Sequence, residues 1–122
     1  MQRLVLLLLP LAAACSQGGA PNDEGTAFDL RCFLVLGQMA ESGPADTRTQ
    51  ALTAAIYFLG RIDGRDPEFD LEARSESEGA ALRGPDAEQL VQRCGAEMQR
   101  RGAEVTAIGQ RITEREKARS RR

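Results

Sequence analysis

Apolar residues recur three and four apart through most of this chain, and two Gly-Pro steps, Gly43-Pro44 and Gly84-Pro85, cut the pattern into helix-length pieces. No stretch alternates strictly between apolar and polar, so an all-α fold is expected. The capping box Thr26-Ala27-Phe28-Asp29 predicts a first helix from near Ala27, through DLRCFLVLGQMAE, to Ser42. Phe28, Cys32, Val35 and Met39 form one stripe on it and Phe33, Leu36 and Ala40 another, which suits the centre of a bundle. Asp46 or Thr47 caps a second helix, with Leu52, Ala55, Ile56 and Leu59 at helical spacing, Tyr57 and Phe58 widening the face, and Asp63-Gly64 at its end. Asp66-Pro67 then reads as N-cap and first position of a weaker third helix anchored by Phe69 and Leu71, whose second half is weakened by the polar run Ser75–Gly79.

The longest helix runs from about Asp86 to at least Glu116 and carries a seven-residue pattern. Val91, Met98, Val105 and Ile112 make one column, Cys94 and Ile108 a second, and Gly95, Gly102 and Gly109 a third. Each glycine costs about 1 kcal/mol inside a helix, so their regular spacing predicts that a neighbouring helix of the same chain packs closely on that stripe; a ligand or partner groove is the other reading. Arg101 interrupts the second column, which argues against a long dimeric coiled coil.

The amino terminus has a different grammar. MQRLVLLLLPLAAACSQGG holds one positive charge at Arg3, an apolar run from Leu4 to Leu9, a helix-breaking Pro10 and then small residues, the layout of an export signal over residues 1–14. The run is far shorter than the roughly 18 to 20 residues that span a bilayer. Leu11-Ala12-Ala13-Ala14-Cys15 also resembles a bacterial lipobox, with Ala12 where that signal usually has Leu. The resemblance implies that Cys15 receives lipid, and Ser16 after it implies sorting to an outer membrane; a plain secreted protein is the alternative. Residues 15–25 (CSQGGAPNDEG) read as a flexible linker, residues 26–118 as the helical domain and residues 119–122 as a basic tail.

An exported protein matures where disulfides persist, so Cys32 and Cys94, 62 positions apart, are read as one bridge once Cys15 is assigned to lipid. Such a bridge contributes roughly 4 kcal/mol on the chain-entropy estimate. An intermolecular bridge through Cys15, or two buried free thiols, are the alternatives. Two lone cysteines without His or clustered acids make a poor zinc set, and no metal or cofactor is expected.

Several functions are disfavoured by composition. The chain has no His, which removes histidine-based catalysis and histidine metal sites. Asp63 and Asp66 lack the ligand alternation of a calcium loop, and no P-loop, dinucleotide fingerprint or Gly-x-Ser-x-Gly is present, so no catalytic residue is assigned and no enzyme is expected. Four Phe and one Tyr offer little for base stacking, and an acidic balance of −2 disfavours nucleic acid. Charge is uneven: residues 23–92 hold 14 acids against 6 arginines, whereas residues 93–122 hold 9 bases against 4 acids. The basic end complements its helix dipole and is solvated, and it also suits anionic headgroups beside an anchor. Arg61 and Arg65 are expected to pair with Asp63, Asp66 or Asp70 and fix the turn between the second and third helices.

The leader, the linker, the frame D-L-R-C-F-L-V-L, the segment Y-F-L-G-R-x-D-G-R and a late helix bearing Cys resemble a group of small, mostly uncharacterised exported helical proteins of alpha-proteobacteria, over about residues 28 to 112. The two-cysteine helical layout is more distantly similar to the periplasmic acid-stress chaperones of the Hde type, matching at Cys32 and Cys94 only. That similarity implies apolar surface released in acid to hold denatured clients. Protonating all 18 carboxylates takes the chain from −2 to +16, a self-repulsion that loosens a bundle while a disulfide limits its expansion.

Together these readings give an all-α bundle of four helices, stapled by Cys32–Cys94, in a periplasmic and outer-membrane-anchored protein. Its expected role is a structural or interaction module that meets the membrane surface through an N-terminal lipid and has a protein partner or client. The alternatives are an acid-activated holdase and a small-ligand carrier whose cavity would be lined by Phe28, Leu52 or Tyr57.

Overall fold

The computed structural model describes residues 23–122. The leader, Cys15 and most of the linker lie outside the described residues. Four α-helices follow in order: α1 (Asp23–Ser42), α2 (Ala45–Arg65), α3 (Leu71–Glu78) and α4 (Ala87–Arg119), with a 3-10 turn at Ala81–Arg83 before α4. Among the described residues there is no strand, as the apolar periodicity implies.

α1 and α2 form an antiparallel hairpin around Gly43-Pro44 and share the largest helix–helix interface among the described residues. Gly43 donates to the Met39 carbonyl at 2.9 Å, and Arg48 Nε donates back to the Gly43 carbonyl at 2.9 Å. Ala51, Ala54, Ala55, Phe58 and Ile62 are the buried face of α2, and small residues at three of those five positions let the two helix backbones approach. Leu30, Cys32, Val35 and Leu36 are the corresponding buried residues of α1. Phe58 is fully buried and meets the edge of Phe28, with centroids 6.1 Å apart.

α4 packs against this hairpin chiefly through α1. Cys94 is bonded to Cys32, with Cα atoms 5.7 Å apart, and both are fully buried. Leu90, Val91 and Met98 pack around the bridge, so α4 is anchored by its first three turns. α3 is short and contributes no fully buried residue; Arg31 Nε of α1 holds its end at Glu78 Oε2, 2.8 Å away.

Three helix starts differ from the sequence reading. α1 begins at Asp23, so Thr26 and Asp29 are inside the helix and buried, and no capping box forms there. Pro44 is the N-cap of α2; Asp46 and Thr47 lie within its first turn, where the Thr47 hydroxyl donates to the Pro44 carbonyl at 2.9 Å. Asp70, not Asp66, caps α3, its carboxylate accepting from the Ala73 amide at 3.0 Å, and Asp66-Pro67 ends the α2 connection instead. Only at α3 do two polar residues, Asp66 and Asp70, compete to cap one start.

Candidate interaction surface

Asp29 explains why the first start moved. It is fully buried on α1, and both Arg61 and Arg65 of α2 aim at its Oδ2, Arg61 Nε at 3.0 Å. The expected pairing of these arginines with Asp63, Asp66 or Asp70 is not what forms. One turn separates Arg61 from Arg65, so a single helix face presents both to a carboxylate on the facing helix. Asp29 Oδ1 is buried with no hydrogen-bond partner among the described residues.

Arg61 continues this seam to α4 by pairing with Glu97 while donating to the Tyr57 hydroxyl at 3.2 Å. Its guanidinium also lies 5.6 Å from the centroid of Tyr57 and 5.8 Å from that of Phe58. Burial opposes the charge of Arg61, but Tyr57, Asp29 and Glu97 outweigh it and raise its pKa above the ordinary arginine value. Glu97 is held below the ordinary glutamate range chiefly by the hydrogen bond from Arg100, against a desolvation penalty and with help from Arg61. This seam binds three helices together.

Residues of α1, α2 and α4 together line a groove of about 590 Å³. Leu36, Met39, Ala51, Ala54, Val91 and Met98 supply its apolar lining, Cys94 and Gly95 lie along its α4 side, and Asp46, Gln50 and Gln99 are among its polar residues. Phe28, Leu52 and Tyr57, the side chains proposed from sequence to line a cavity, are not among its lining residues. Phe28 and Tyr57 are half-buried against the core, and Leu52 is exposed on α2 with Ile56.

Beyond the groove α4 leaves the body. Its 33 residues span about 50 Å at 1.5 Å per residue, and the part after Gln99 projects about 30 Å. The apolar columns continue along it, yet Val105, Ile108 and Ile112 are 68%, 47% and 51% exposed. The glycine stripe is equally bare: a Cβ added at Gly95, Gly102 or Gly109 would meet nothing within 4 Å. Among the described residues, the expected close packing of another helix on those glycines is therefore absent. Heptad spacing identified the right face of α4 but could not say that the body ends before the face does.

Among the described residues, no three His, Cys, Asp or Glu side chains gather as a metal set, and no helix is long and apolar enough to cross a membrane. No protein-family model, curated protein or solved structure matches the chain.

Proposed function

We propose that this protein is an interaction module of a bacterial envelope, exported and held at a membrane by a lipid on Cys15, with α4 as the element it presents. The observation that carries this reading is the projecting half of α4, where Val105 and Ile112 lie exposed on the column that begins at Val91 against the core, and Ile108 on the column that begins at Cys94. Burying three such side chains contributes roughly 1.5–3 kcal/mol each, enough to support docking when added to the groove. The disulfide and the Asp29 seam hold the base of α4 rigid, so its free half is displayed in a fixed direction.

A photoreactive residue replacing Ile108 should give adducts in the cell envelope, and the same residue at the exposed Ala96 should give few. Equal yields from both positions, or none from either, would refute the module reading. Mass spectrometry of the mature amino terminus tests the anchor, where an unmodified Cys15 or a different start removes it.

The acid-activated holdase is the second reading, supported by the pairing of Arg61 with Glu97. This ion pair ties α2 to α4, and protonation of Glu97 removes it, which loosens α4 from the hairpin in acid. Light scattering of an aggregating client at about pH 3, with and without the protein, tests it; unchanged aggregation rejects it.

A further inference from the structure

We infer that the docking partner of the projecting α4 half is a second copy of the same helix, running antiparallel and reaching into the groove of the first copy. This rests on the interaction-module reading and names its partner. In the heptad frame, Val105 and Ile112 are core positions of one column and Ile108 of the other, with Arg101 and Arg115 continuing that second column. A parallel pair sets Arg101 against the partner's Arg101 and Arg115 against the partner's Arg115 at the contact, and lays two basic ends side by side. An antiparallel pair avoids both.

One antiparallel register stands out. When Val105 faces the partner's Ile108, Ile112 faces the aliphatic stem of the partner's Arg101. On one flank Glu104 then faces the partner's Arg111, twice by symmetry. On the other, Gly102 faces the partner's Gly109, again twice, so the bare backbones meet where no Cβ holds them apart. Sliding the helices by one heptad in either direction sets Glu104 against the partner's Glu104, or Arg111 against the partner's Arg111.

The same register accounts for the groove. The partner's Arg115 comes opposite Met98, which lines it, and the basic end beyond runs toward the groove that includes the exposed Asp46. The overall imbalance agrees: residues 23–92 carry −8 and residues 93–122 carry +5, so an antiparallel pair lays each positive end on the negative body of the other copy. Arg101, which argues against a long coiled coil, is compatible with this short pair because it meets isoleucine rather than arginine.

The test uses the full chain carrying Cys15→Ser. Sedimentation equilibrium at about 100 µM should give twice the 13.2 kDa chain mass, and Ile108→Glu should weaken association at least about tenfold. Glu104→Arg and Arg111→Glu should each weaken it, and the double swap should restore it. Oxidation of mixed Val105→Cys and Ile108→Cys chains should yield a mixed disulfide dimer, while Ile112→Cys alone should not self-couple. Self-coupling of Ile112→Cys means a parallel pair and overturns the proposal. A monomeric mass at that concentration also overturns it, as does a monomer that instead floats with phosphatidylglycerol vesicles. If position 108 still forms adducts with other envelope proteins, the module reading survives that failure; without such adducts both fall.

Discussion

Asp29 of α1 and Arg61 of α2 meet at 3.0 Å, Oδ2 to Nε, with the carboxylate fully buried and the guanidinium about one quarter exposed. The asymmetry in exposure matters more than the contact itself. An arginine that loses Asp29 turns to water, whereas Asp29 without its arginines is a buried charge with nothing to face.

Removing the two sides of this pair should therefore have unequal effects. Asp29→Asn is expected to cost about 1–2 kcal/mol, and Arg61→Met with Arg65→Met about 3–5 kcal/mol. Adding Asp29→Asn to the double variant should recover part of the loss. Urea unfolding followed by circular dichroism measures all three, and equal losses from the two sides would count against the argument.

Cutting the Cys32–Cys94 bridge should cost about 3–5 kcal/mol, since it closes a long loop and is itself buried in the core. The α1–α2 hairpin has its own interface and should keep much of its helicity, while α4 is released. Urea melts with and without reductant give the loss, and hydrogen exchange should show protection falling first from Leu90 to Met98.

Glu97 sets a pH dependence of known sign. Its folded pKa is depressed by Arg100 and Arg61, so the stability it contributes is present above the unfolded glutamate value and is lost as pH falls through the folded one. Glu97→Gln should be less stable than the parent at pH 7, with the gap closing below about pH 4. A gap that stays constant with pH would show that the pair contributes nothing through charge.

Two glycines of the hairpin should respond in opposite directions. Gly60 lies inside α2 with open space around the site of a Cβ, so Gly60→Ala should stabilise by about 0.5–1 kcal/mol. At Gly43 the added Cβ would lie 2.3 Å from the Met39 carbonyl oxygen, so Gly43→Ala should destabilise by displacing the turn. Thermal melts of the two variants should move to opposite sides of the parent.

The sequence by itself determined the helical class, the breaks at Gly43-Pro44 and Gly84-Pro85 and the buried stripe of α1 through Cys32, Val35 and Leu36, but not the buried face of α2, where the expected Leu52 and Ile56 are exposed and Ala51, Ala54, Phe58 and Ile62 are buried instead. The first three follow from local rules: side chains three and four apart share a face, and glycine followed by proline does not continue a helix. Only the tertiary structure decided what each face meets. Asp29 looked like a cap because a cap and a buried ion-pair partner are the same residue type near a helix start, and Arg61 and Arg65, |i−j| of 36 for Arg65, lie beyond any local pattern. The glycine column of α4 looked packed because spacing reports periodicity and says nothing of where the neighbouring helices stop. α1 and α2 stop short of the carboxyl half of α4, and that difference in length leaves Val105, Ile108 and Ile112 in solvent.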